Sequence, residues 1–227
     1  PRMGRHSLLR RIERTPLPGF ADQRIPKMSF MRDVMQRRRT TRRLHTEAVP
    51  DDMIEALLDA ALAAPSAHNR QPWRYVLVRS EASRRSLALA MSVPFRADLS
   101  RDGLDQAAIG WRVEASIQRL TSAPLLVVAC MTMADMDDYP DEGRQAAERN
   151  MAVQSVAASI QNLLLAAEEL GLGAGWMCAP LFCQDVVRVN LGLPTDWEPQ
   201  ALIAVGWPAE TPALPPRCSL RRSGIAA

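Results

Sequence analysis

Aromatic residues make up only 5% of this 227-residue sequence, and it holds just four cysteines and three histidines. No two of Cys130, Cys178, Cys183 and Cys218 stand as C-x-x-C, and none pairs with a histidine at zinc-ligand spacing, which excludes the common structural zinc frameworks. Reduced, buried thiols packing as small hydrophobes in a cytoplasmic protein are the expectation, with Cys178 ending a strand. No apolar run approaches the ~20 residues that cross a bilayer, and the N-terminus reads as too basic and too broken by charge for a secretory signal. Several chemical signatures are missing too. There is no G-x-G-x-x-G opening a helix after a strand, no G-x-x-x-x-G-K-[ST], no G-x-S-x-G and no H-E-x-x-H. A Rossmann dinucleotide domain, a P-loop nucleotide hydrolase, a nucleophile-elbow hydrolase and a zinc protease are thereby set aside.

What is present is an uneven distribution of charge. Residues 1–45 hold 13 of the 28 Lys and Arg but only Glu13, Asp22 and Asp33 of the 25 acids, leaving 15 basic and 22 acidic residues for the rest. A basic head on an acidic body calls for a polyanionic partner: nucleic acid, an anionic membrane surface or a phosphorylated small molecule. Within the head, Thr40 and Thr41 interrupt the run Arg37, Arg38, Arg39, Arg42, Arg43. Hydroxyl donors among guanidinium groups suit a phosphate monoester, and Arg217 adds a cation near the other end. Nucleic acid would favour further basic stripes and exposed aromatics, whereas aromatics are only 5% of this chain and the rest of it is acidic. A basic N-terminal nucleic-acid module is thus the alternative from another class, and a phosphate-bearing cofactor fits better.

The chain reads as an irregular basic leader, residues 1–30, and one α+β domain, residues 31–227. A short helix is expected from Met31 to Arg38, and a second from Pro50-Asp51-Asp52 to Pro65. A strand over Trp73–Val78 follows, then mostly helix over 80–122. Leu125–Met131 is wholly apolar, as a buried central strand is. After an acidic loop at 133–143, a helix from about Arg144 to Leu170 is apolar nearly all round, which places it at the centre of a domain or interface. Gly171 reads as its C-cap, and Gly175 as a point where backbone approaches a ligand. A strand at Ala174–Cys178, a helix at Gln184–Leu191 and a strand at Ala201–Trp207 complete the domain. Between the second helix and the first strand lies Ala64-Pro65-Ser66-Ala67-His68-Asn69-Arg70-Gln71-Pro72-Trp73. Its small residues and amides suit the edge of a flat polar heterocycle. A plain helix–strand loop with a core Trp fits the same residues.

Together these stretches resemble the FMN-dependent nitroreductase family. R-R-T-T-R-R-L matches its R-R-S-x-R-x-F opening, A-P-S-A-H-N-R-Q-P-W its A-P-S-x-x-N-x-Q-P-W loop, Gly171–Trp176 its G-L-G-x-x-W landmark, and G-W-P before a terminal Arg its fourth. The resemblance spans about residues 32–222. It implies an α+β fold with a central, mostly antiparallel sheet flanked by helices, an entwined homodimer, FMN as cofactor and NAD(P)H as electron donor. By position it implies that Arg38, Arg39, Thr40, Arg42 and Arg217 bind the FMN phosphate and ribityl chain. It sets Pro65, Ser66, Ala67, Asn69 and Gln71 along the isoalloxazine, commonly from the partner subunit, with Met177, Cys178 and Ala179 against its redox edge. His68, at a variable position beside the flavin, is the candidate substrate contact, and Leu44 replaces a usual aromatic. No catalytic residue and no metal are implied, because the flavin carries a ping-pong hydride transfer. Segments from Arg96, over 139–151 and over 193–200 look most like the C-terminal flavin domain of bifunctional coenzyme F-420 biosynthesis proteins, which implies reduction of a dehydro precursor, without a ligase domain in this chain. A broad NAD(P)H-dependent nitro- or quinone reductase is the alternative within the family.

Overall fold

The computed structural model describes residues 30–217. The leader, apart from Phe30, and Cys218, Arg221 and Arg222 lie outside them. The expected central strand is β2 (Leu125–Met131), every residue of which is buried. It pairs antiparallel with β1 (Trp73–Val78) on one side and β4 (Glu198–Gly206) on the other, and β4 pairs antiparallel with β3 (Gly173–Met177). The sheet order is therefore β1-β2-β4-β3.

Strand alternation sorts β2 between two cores. Leu125, Val127, Ala129 and Met131 join Ala201, Ile203 and Val205 against α2 (Asp51–Leu62) and α5 (Glu142–Glu169). Leu126, Val128 and Cys130 join Leu202 and Ala204 on the other face. There they meet α3 (Glu81–Arg101), α4 (Gln106–Ser122) and α6 (Gln184–Leu191). Burial on both faces is what makes the segment continuously apolar. Ahead of α2, α1 (Phe30–Arg37) buries only Val34 and leaves Phe30, Met31 and Met35 exposed.

Three expectations change. The α5 helix is not apolar around its circumference: its buried stripe includes Glu148, Ser155 and Ser159, while Ala147 and Val153 face outward. It starts at Glu142 because the Asp141 side chain accepts from the Arg144 backbone N–H, an N-cap. Of the described cysteines only Cys130 is buried, and burial pushes its thiol up to about 12. Cys178 is exposed, because the edge strand β3 stops at Met177 and the chain turns there into a 3-10 turn, Ala179–Phe182.

Polar contacts within the first core fix the end of α2. Ser159 Oγ donates to the Ala61 carbonyl at 2.7 Å and lies 2.6 Å from the Tyr75 hydroxyl. Asn162 Nδ2 donates to the Ala60 carbonyl at 3.1 Å. The last turn of α2 is thus bolted to α5 and β1 just before the chain enters the loop at Pro65. No helix of the described residues is long and apolar enough to cross a membrane.

Candidate functional site

The arginine run forms an extended segment along the outer edge of β3. Thr40 bridges Ala174 in parallel, the Thr41 N–H donates to the Ala174 carbonyl at 2.9 Å, and Leu44 bridges Pro208. Glycine permits this approach. A Cβ on Gly173 would lie 2.8 Å from Thr41 Cγ2, and one on Gly175 would lie 3.0 Å from the Thr41 carbonyl oxygen. The close backbone at Gly175 therefore serves the protein's own arginine segment rather than a ligand. Thr41 and Leu44 are buried against β3.

The segment divides the arginines by task. Arg37 pairs with Asp33 at 3.0 Å, and Arg43 with Glu210 at 3.6 Å. Arg39 donates from Nε to the Arg37 carbonyl and from Nη1 to the Pro212 carbonyl at 2.6 Å, so Nη2 is left. The side chains of Arg38 and Arg42 make no hydrogen bond or ion pair with any described residue, and the exposed Thr40 stands between them. Alternate residues of an extended chain share a side, so buried Thr41 leaves this trio on the outer one. The C-terminal tail runs alongside: His45 N–H donates to the Trp207 carbonyl and Ala209 N–H to the Arg43 carbonyl. Arg217, exposed and likewise without a described partner, lies five residues beyond the Pro212 contact.

The second predicted element is the loop from Pro65 to Gln71, containing a 3-10 turn at Ala67–Asn69. His68 (φ 49°), Asn69 (φ 56°) and Gln71 (φ 49°) all sit in the left-handed region, the only described non-glycine residues to do so. Such clustering is costly and persists where surroundings enforce it. Here Ser66 Oγ accepts the Gln71 N–H at 3.0 Å, and Asn69 Oδ1 accepts Gln71 Nε2 at 3.2 Å. The Ala67 N–H donates to Ser155 Oγ on α5. The hydroxyl of Ser66 and the N–H of Ala67 are thus occupied in shaping the loop. The exposed amides of Asn69 and Gln71 and the ring of Pro65 are what it presents outward.

The third element, Met177-Cys178-Ala179, follows the end of β3. Met177 and Ala179 line a cavity of about 610 Å3 between this turn and the α3–α4 pair. The cavity is walled by Phe95, Trp111 and Phe182, and Arg112 and Arg119 also border it. Cys183 lies in the same wall, its thiol raised by burial and then by the negative charge of Asp98. Sequence reasoning passed over α3 and α4 as merely polar helices. Their mark in the sequence is Phe95 and Trp111, large aromatics in a chain poor in them, and Trp111 is 73% exposed in the fold.

The sheet order determines which of these elements meet. The arginine segment and Met177–Ala179 share the β3 edge, whereas the Pro65–Gln71 loop feeds β1 at the opposite edge. Three strand spacings, about 14 Å, separate the two edges. Within one chain the loop thus leads into the sheet edge opposite the other two.

Comparison with known proteins agrees with this architecture. The family model described as "Nitroreductase family" matches residues 35–207. A Thermus thermophilus protein named NADH dehydrogenase is 31% identical over 198 residues, covering 77% of this chain and 84% of the relative. The Vibrio harveyi NADPH:FMN oxidoreductase, solved in complex with NAD+, superposes with a TM-score of 0.65 at 20% identity, covering 86% of this chain and 76% of that one. A Desulfovibrio desulfuricans structure in complex with FMN gives a TM-score of 0.67 at 22% identity, covering 88% of this chain and 98% of that one. This chain belongs to the nitroreductase family.

Proposed function

We propose that this protein is an FMN-dependent oxidoreductase that passes reducing equivalents from NADH or NADPH to a small-molecule acceptor, working as a homodimer. The observation that carries the reading is the pair of guanidinium groups, Arg38 and Arg42, that have no partner among the described residues and flank Thr40 on a segment that glycines dock against β3. Their donor set fits a phosphate monoester, and the relatives solved with FMN or named for it share the fold.

In this reading Arg38, Thr40 and Arg42 hold the phosphate, with Arg217 and the free end of Arg39 as further cations. FMN supplies the two-electron chemistry when bound. The chain's own residues position it and close it off: Met177–Ala179 border one side, and the aromatic walls of the adjoining cavity exclude water from the acceptor. The Pro65–Gln71 loop, with Asn69, Gln71 and His68, belongs to the site of the partner subunit, since the sheet holds it away from its own arginine segment.

FMN titration of the apoprotein tests the assignment. Arg38→Ala and Arg42→Ala should each weaken binding about 10- to 100-fold, the loss of one charge-assisted contact of about 1.5–3 kcal/mol. Arg43→Ala, whose partner is Glu210, should leave affinity within about twofold, because exposed ion pairs contribute little. Equal affinity in all four proteins would sink the phosphate assignment.

The finer reading is that the acceptor is a dehydro precursor of coenzyme F-420. Its support is the resemblance over 139–151 and 193–200, two segments tied together by the Arg149–Glu198 ion pair. Turnover of such a precursor in preference to a nitroaromatic favours it, and the reverse favours a broad nitro- or quinone reductase. The nucleic-acid alternative draws little from residues 37–43, where Arg37, Arg39 and Arg43 are engaged within the protein.

A further inference from the structure

Glu148 is the only charged side chain that is fully buried among the described residues. Its Oε1 accepts the Asp137 N–H at 3.2 Å, and its Oε2 has no described partner. A buried carboxylate with an idle oxygen is costly unless a proton or a cation meets it. Two arginines nearby do not serve: Arg149 is turned to Glu198, and Arg70 binds Asp137 Oδ1 at 2.5 Å. Two other potential ligands do reach this carboxylate. An imidazole nitrogen of His68, a carboxylate oxygen of Asp137 and one of Glu148 all lie within 4.8 Å of one another.

We propose that His68, Asp137 and Glu148 bind a divalent cation of the zinc class. Two ligands at the ~2.0–2.2 Å of zinc–nitrogen and zinc–oxygen bonds span at most about 4.4 Å, so a shift of a few tenths of an ångström closes the site. Exposed His68 and half-exposed Asp137 can supply that shift, while Glu148 stays fixed in α5. One imidazole and two carboxylates favour zinc or manganese over magnesium and calcium, which prefer oxygen donors alone. The ligands come from the strained Pro65–Gln71 loop, the acidic loop and α5, so the cation fastens the first to the other two. This inference stands whether or not the protein binds FMN.

The test is zinc titration of the untagged full-length chain, stripped of metal by chelator and then freed of it. Saturable uptake of one equivalent per protomer at the site, accompanied by a rise in Tm, is expected. His68→Ala and Asp137→Asn, both at or near the surface, should each weaken that uptake at least tenfold, and Glu148→Gln should do so if it folds. Magnesium and calcium at the same concentrations should not compete. Absence of saturable uptake, uptake unchanged in both His68→Ala and Asp137→Asn, or equal competition by magnesium would overturn the proposal.

Discussion

At the scale of single residues, the decisive property is whether a polar group has already been spent inside the protein. Arginines adjacent in sequence differ completely in this respect: Arg37 and Arg43 face carboxylates, Arg39 faces carbonyls, and Arg38 and Arg42 face none among the described residues. Ser159 is the opposite case, a serine committed wholly to structure. It joins Ala61 of α2 to Tyr75 of β1, and burial drives the Tyr75 hydroxyl up to about 12 despite the opposing Ser159 hydrogen bond. Tyr75 therefore stays neutral throughout the physiological range. Ser159→Ala should lower stability by about 1–3 kcal/mol, since it removes two hydrogen bonds and leaves the half-buried Tyr75 hydroxyl without its described partner, while the Ala61 carbonyl keeps the Ala64 N–H. Chemical denaturation measures this, and a loss below about 0.5 kcal/mol would contradict the role given to Ser159.

At the scale of elements, the site depends on a glycine strand carrying a polar one. Gly173→Ala would drive a methyl into Thr41 and Leu44, costing about 1–3 kcal/mol as overpacking does. Because Thr41 is pinned to Ala174, the strain should pass to Thr40 and Arg42, so FMN affinity should fall with stability. A variant that loses stability while keeping full flavin affinity would separate the two and count against the coupling. The same strand shows what was legible beforehand. The limits of β1, β2 and α6 follow from the sequence residue for residue, because each is a short patterned run closed by proline or a polar cluster. The purpose of Gly175 was not legible, since a glycine that admits a neighbouring backbone looks the same as one that admits a ligand. Glu148 and Ser159 were hidden for a related reason. In a helix of small residues a polar side chain facing the core has the same spacing as one facing water, and only tertiary contact tells them apart. The α3–α4 wall of the cavity escaped notice because its residues meet Met177 and Phe182 only through the folded chain.

At the scale of the whole molecule, the order β1-β2-β4-β3 places the two best-marked sequence motifs on opposite sheet edges. On the proposed function both motifs serve one flavin, and their origin on opposite sheet edges, about 14 Å apart, is what the proposed second copy accounts for. Exposed Phe30, Met31 and Met35 on α1, with Trp111 and Phe182, supply apolar surface for such an association. Sedimentation equilibrium should therefore give twice the protomer mass at micromolar concentration, and a monomer retaining bound FMN would contradict the shared site.

The account's central claim, that this chain carries electrons through bound FMN, is tested most directly by anaerobic mixing of the purified flavoprotein with NADH or NADPH. The flavin absorbance should bleach on that addition alone, and an acceptor added afterwards should restore it, each half-reaction running without the other substrate. A protein that takes up no FMN, or whose flavin is left oxidised by both nucleotides, would contradict the claim.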